Sequence, residues 1–239
     1  MRRIGLISPN ISDEFLTDVY RILPPDITVE GRGLRVREFT DQEFARAESE
    51  FFGLVRELTE YSLDFLMVTG ELFLSYKGPG SDRQLLEAVG EVMPVPASTV
   101  LTSVTDACRE LGLNNVVMAT PFPEDQDTRL IRFLEHDQIH VEAFRGLACA
   151  NSREIWALPA ESGLEVARPL LREHPDVDGL YMPCNKWRIT PIIEQLEQEF
   201  GKPVVTNTQA WIWTALKAMK LDQPVAGYGR LLARHQEQE

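Results

Sequence analysis

The chain repeats itself at an interval of about 110 residues, a period that implies two copies of one α/β unit and not a short-period solenoid. Ile4-Gly5-Leu6-Ile7-Ser8-Pro9-Asn10 is answered 112 residues later by Val116-Val117-Met118-Ala119-Thr120-Pro121-Phe122. Asp64-Phe65-Leu66-Met67-Val68-Thr69-Gly70 is answered 114 residues later by Asp178-Gly179-Leu180-Tyr181-Met182-Pro183-Cys184. Pro94-Val95-Pro96-Ala97-Ser98-Thr99 is answered after 109 by Pro203-Val204-Val205-Thr206-Asn207-Thr208. The first two pairs are short apolar runs closed by turn or polar residues, the pattern of a buried strand. Amphipathic stretches alternate with the strands, which implies parallel sheets joined by right-handed crossovers. The expected fold is therefore α/β, with two pseudo-symmetric lobes, each a parallel sheet flanked by helices. Residues 1–97 plus 207–239 are assigned to the first lobe and 98–206 to the second. No Gly/Ser-rich linker separates them. Strands are expected at 4–8, 34–38, 64–69, 115–120, 140–144 and 203–206, and helices include 41–61, 190–200 and one capped by Ser98.

A net charge of −13 leaves no basic stripe to neutralise phosphates, which argues against a nucleic-acid or membrane-surface partner. No apolar run approaches the roughly 20 residues of a spanning helix. The opening residues read as a first strand and not as a signal peptide, so a cytoplasmic protein is expected. Cys108, Cys149 and Cys184 form no CxxC pair or metal spacing, which suggests free thiols. His136 and His140 are four apart but lack a third ligand, so surface histidines explain them better than a zinc site. No metal and no cofactor motif is read; Gly227-Tyr228-Gly229-Arg230 lacks the strand and helix flanks of a dinucleotide fingerprint.

Cys184 carries the most chemistry. It ends a buried strand, where ligands bind in open α/β sheets, and Gly70 stands at its counterpart in the first half. A thiol there can serve as nucleophile, base or proton donor according to its pKa. A buried structural cysteine is an equally weighted reading on spacing alone. Hydroxyl and amide groups cluster at the other strand ends: Ser8, Asn10, Thr69, Thr120, Asn185 and Asn207. Helix starts suit carboxylates, although capping explains several of these residues equally well.

Leu6-Ile7-Ser8-Pro9-Asn10, the stretch Gly70-Glu71-Leu72-Phe73-Leu74-Ser75-Tyr76-Lys77-Gly78, Ala119-Thr120-Pro121-Phe122, the strand ending at Cys184 and Gly227-Tyr228-Gly229-Arg230-Leu231-Leu232 together resemble the aspartate/glutamate racemase superfamily. Within it they resemble the branch of arylmalonate decarboxylases and maleate cis-trans isomerases. Asn207-Thr208-Gln209-Ala210 is closer to the isomerases. The resemblance covers essentially the whole chain. It implies facing cysteines in racemases and isomerases, and a single second-lobe thiol that protonates a carbanion in the decarboxylase. Gly70 with Cys184 is the one-thiol arrangement. Glu71 and Leu72 stand where the decarboxylase has small hydroxyl residues, Phe122 where tyrosine is common, and Asn185-Lys186 where it has two small residues.

The expected function is that of a cofactor-independent enzyme on a small (di)carboxylate, with decarboxylase-like chemistry and Cys184 as proton donor. Ser8, Asn10, Thr69, Gly70, Thr120, Phe122, Asn185, Lys186 and Asn207 are expected to bind substrate. Glu71 is expected to pair with Lys186. The alternatives are a maleate isomerase- or racemase-like isomerase using Cys184 with Glu71, and a carboxylate-binding member without turnover. The sequence leaves open whether the chain forms a homo-oligomer.

Overall fold

The computed structural model describes residues 1–221 and 223–233. The first half runs β1 (Arg2–Ser8), α1 (Asp13–Ile22), β2 (Ile27–Gly33), α2 (Asp41–Leu58), β3 (Phe65–Val68), α3 (Glu71–Ser75), α4 (Ser81–Val92) and β4 (Ala97–Thr99). Helix α5 (Val100–Leu111) then leads to β5 (Asn115–Thr120), α6 (Glu124–His136), β6 (His140–Gly146), α7 (Ser152–Trp156), α8 (Glu161–Glu173), β7 (Gly179–Met182), α9 (Ile193–Phe200) and β8 (Val204–Thr206). Helices α10 (Asn207–Ala218) and α11 (Arg230–Ala233) close the described chain. The first-lobe assignment of 207–239 includes Asp222 and 234–239, which lie outside the described residues.

Among the described residues the strands form two four-stranded parallel sheets, ordered β2-β1-β3-β4 and β6-β5-β7-β8. The two orders are the same, so the repeat in the sequence is a repeat of topology. Every residue of β3 and of β7 is buried. Parallel sheets carry helices on both faces, and so their central strands are continuous apolar runs. Register follows: Ile7 pairs with Val68 in the first sheet, and Met118 with Tyr181 in the second. The equivalent helices α5 and α10, each following the last strand of its sheet, pack against one another. Helix α10 also touches β3, β4 and β8, so it lies against strands of both sheets.

Several local expectations are corrected. Residues 34–38 are not a strand: β2 ends at Gly33. Leu34 and Val36 are nonetheless buried, and their N–H groups donate to the Ser8 and Pro9 carbonyls at 2.8 and 3.0 Å. Helix α5 is capped not by Ser98 but by Thr99, whose hydroxyl accepts from the Thr102 N–H. The helix expected over 190–200 begins as a 3-10 turn at Thr190–Ile192. Among the described residues no helix is long and apolar enough to cross a membrane, and no group of three or more His, Cys, Asp or Glu is arranged to hold a metal ion.

Candidate active site

All strands being parallel, β1, β3, β5 and β7 aim their carboxyl ends at the space between the sheets, where ligands gather in such folds. A narrow cleft of about 50 Å³ lies there. The first half lines it with Ser8, Pro9, Asn10, Phe15, Val36, Phe39, Phe44, Gly70 and Glu71, the second with Phe122, Ser152, Ile155, Cys184, Asn185 and Lys186. Asn10, Val36, Phe39 and Ser152 also border an open groove of about 850 Å³, which forms the mouth.

The turns after β3 and β7 are alike. Gly70 has φ +106°, and Cys184, its counterpart, has φ +83°. The left-handed region costs an ordinary L-residue about 1–2 kcal/mol, and strain of this kind concentrates at functional sites. The Cys184 side chain thus reaches the cleft wall from a conformation that favours glycine. Burial and then the neighbouring Glu71 push its thiol up to about 12, while the Lys186 charge and the N–H groups of Lys186 and Trp187 pull the other way. At neutral pH it is a thiol.

Glu71 is buried at the start of α3. Burial lifts its carboxyl to about 7. Opposing this are its own backbone N–H, the Lys186 charge, the Asn207 amide and the Cys184 N–H. Asn207 Nδ2 donates to Glu71 Oε2 at 2.8 Å, and Tyr181 Oη donates to Asn207 Oδ1 at 2.8 Å. The pair expected between Glu71 and Lys186 does not form: among the described residues Glu71 makes no ion pair. Lys186 Nζ donates to Ser152 Oγ at 3.0 Å and lies 5.0 Å from the centre of the Trp156 ring. Burial lowers its pKa to about 8, against the pull of Cys184 and Glu71.

Ser8, Asn10, Gly70, Glu71, Phe122, Cys184, Asn185 and Lys186 come together on the cleft wall. Thr69, Thr120 and Asn207 do not line it. Thr69 is fully buried, with its hydroxyl against the Ile7 carbonyl. Thr120 donates to Asp127 Oδ1 at 2.8 Å and accepts from the Phe122 N–H at 3.0 Å, which fixes the turn after β5. Asn207 stands behind Glu71. Two of the wall groups donate internally: Ser8 to the Asn10 carbonyl at 3.0 Å, and Asn10, through one of its two amide N–H groups, to the Val36 carbonyl at 2.6 Å. Asn185 Oδ1 accepts from Thr208, and its Nδ2 makes no hydrogen bond among the described residues. Sequence reasoning missed the apolar half of the cleft (Phe15, Val36, Phe39, Phe44 and Ile155) together with Ser152. The phenylalanines read as ordinary core, and only long-range packing, such as Phe39 edge-on to Phe122 at 5.8 Å, brings them to the site.

The relatives of this chain have the same fold. It is 24% identical over 242 residues to the maleate isomerase of Nocardia farcinica, covering 97% of this chain and 96% of the relative. It is 24% identical over 229 residues to the arylmalonate decarboxylase of Bordetella bronchiseptica, covering 95% of each. Among solved structures, a cysteine-to-serine mutant of the Nocardia farcinica maleate cis-trans isomerase with a covalently bound succinylcysteine intermediate superposes with a TM-score of 0.91 at 23% identity, covering 97% of this chain and 98% of that one. A crystal structure of arylmalonate decarboxylase gives 0.82 at 24%, covering 96% and 98%. The model of the arylmalonate decarboxylase family matches residues 4–232, and the chain belongs to that family.

Proposed function

We propose that the protein is a cofactor-independent decarboxylase of a small carboxylate bearing an apolar substituent, with Cys184 as the proton donor. The observation that carries this reading is a single thiol, kept protonated, on the wall of a cleft whose opposite strand end is Gly70. A proton donor must hold its proton, whereas a nucleophile must lose it. The names of the decarboxylase and isomerase relatives support a carboxylate substrate.

In the proposed step the bond between the substituted carbon and one carboxylate breaks and carbon dioxide leaves. The electron pair stays behind and delocalises onto the remaining acceptor group. The Cys184 S–H proton passes to that carbon, and the thiolate regains a proton from water. Lys186 and the Asn185 amide are the open donors for the anionic substrate, Ser8 and Asn10 shape the wall beside them, and the phenylalanines hold the apolar substituent. Preorganised donors aimed at developing charge are worth several kcal/mol in such sites. A cytoplasmic location accompanies this reading, in keeping with three free thiols of the kind a reducing compartment maintains.

A panel of 2-substituted malonates and 3-oxo carboxylates in deuterated water tests it. The expected result is carbon dioxide release with one solvent deuteron at the carbon, reduced about 10²–10⁴-fold in C184A without loss of the fold. Full activity in C184A removes Cys184 from the mechanism. One observation favours a second reading: Glu71 lines the same cleft with a pKa of about 7, suited to acid–base exchange in isomerisation or racemisation. Deuterium uptake without carbon dioxide loss selects that reading, and binding without turnover across the panel selects a carboxylate-binding protein.

A further inference from the structure

One buried donor, the Asn207 amide, is aimed at the cleft wall, and the chain has already filled its place. Asn207 is 1% exposed and opens α10. The Tyr181 hydroxyl donates to its Oδ1, so its NH2 group must face the other way, towards Glu71 Oε2 at 2.8 Å. Tyr181 is itself buried on β7, which holds this relay rigid. The backbone N–H groups of Glu71 and Cys184 also favour its charged form, against the larger effect of burial. Burying a carboxyl is costly unless a donor meets it, and here Asn207 meets it on the wall that also carries the Cys184 sulfur.

The remaining donors suffice for one more carboxylate. Ser8 donates to a backbone carbonyl, and Asn10 gives one of its two amide N–H groups to another. The Lys186 ammonium keeps two protons beyond the one given to Ser152, and the Asn185 amide keeps its NH2 group. From this geometry we infer that Glu71 is a resident occupant of a carboxylate subsite, so that the cleft takes a monocarboxylate whose second acceptor group is an uncharged carbonyl, and not a dicarboxylate. This rests on the reading of the cleft as a carboxylate site. A second substrate carboxylate meets a place that is already filled.

The test is binding of malonate against acetate, each titrated by thermal shift at constant ionic strength, since a ligand of the native state raises its melting temperature by mass action. Wild type and E71Q, both with the subsite filled, are expected to bind malonate no better than acetate. E71A is expected to bind malonate at least about ten-fold better than acetate, a difference near the size of one added hydrogen-bonded ion contact. A malonate preference in wild type overturns the inference. A malonate preference in E71Q overturns it too, because charge and not occupancy then excludes the dianion. No change of preference in E71A overturns it as well. The wild-type and E71Q arms stand even where E71A does not fold. Binding requires no turnover, so the inference fails separately from the role of Cys184; if neither anion shifts any of the three proteins, the carboxylate reading itself falls.

Discussion

A carboxyl buried on a cleft wall leaves a signature in the pH dependence of stability. Glu71 is lifted by burial from an ordinary 4.5 to about 7. The folded protein thus holds this proton more tightly than the unfolded chain. Its stabilising contribution is complete below about pH 4.5 and is lost as pH rises through about 7. E71Q stays neutral throughout. The difference in melting temperature, E71Q minus wild type, is therefore expected to grow from pH 5 to pH 8, and an offset constant over that range contradicts the prediction. Lys186 is shifted the other way, to about 8, so its contribution is complete above about 10.5 and lost as pH falls through about 8; E71Q removes the upward pull of Glu71 on it, which adds to the same trend. The sequence places Glu71, Cys184 and Lys186 at strand ends, but the Asn207 partner of Glu71 is 136 residues away. No local pattern announces a contact of that range, and this is why Lys186, two residues past Cys184, offers itself as the partner instead.

Among elements, the two strand-end turns differ for a steric reason. A Cβ on Gly70 would lie 2.2 Å from Pro9 Cγ, so the first turn has no room for a side chain, thiol included. The second turn carries Cys184 at φ +83°. Glycine relieves that strain, and C184G is expected to melt above C184A, the reverse of the usual order of glycine and alanine; C184A melting higher sinks the claim that the turn is strained. The buried strands β3 and β7 and the long amphipathic α2 are legible because burial fixes their periodicity. The strand β2 is not. As an edge strand it carries Glu30, Gly31 and Arg32, and only Ile27 is fully buried. The alternation at 34–38 arises instead because Leu34 and Val36 turn inward beside β1 and Val36 reaches the cleft. Helices α3 and α7 have five residues each, too few for a helical period to show.

For the whole molecule, the repeat discloses two sheets of one topology, yet what clasps them together is invisible in sequence. Arg188, after β7, grips Asp18 of α1 through two hydrogen bonds of 2.7 and 3.1 Å. Arg129 of α6 pairs with Asp41 of α2. Gln126 donates to the Phe39 carbonyl at 3.3 Å, and Glu38 forms an isolated antiparallel bridge with Asn151. These contacts bring the second half's sulfur to a buried place on the cleft wall, and that burial is what keeps it protonated. The most direct test of this claim is the ultraviolet absorbance of thiolate as pH is raised, taken as wild type minus C184A so that Cys108 and Cys149 cancel. With the Cys184 thiol pushed up to about 12, no thiolate signal is expected in that difference through about pH 10. A signal that rises at or below neutral pH makes Cys184 a thiolate nucleophile and contradicts its role as proton donor.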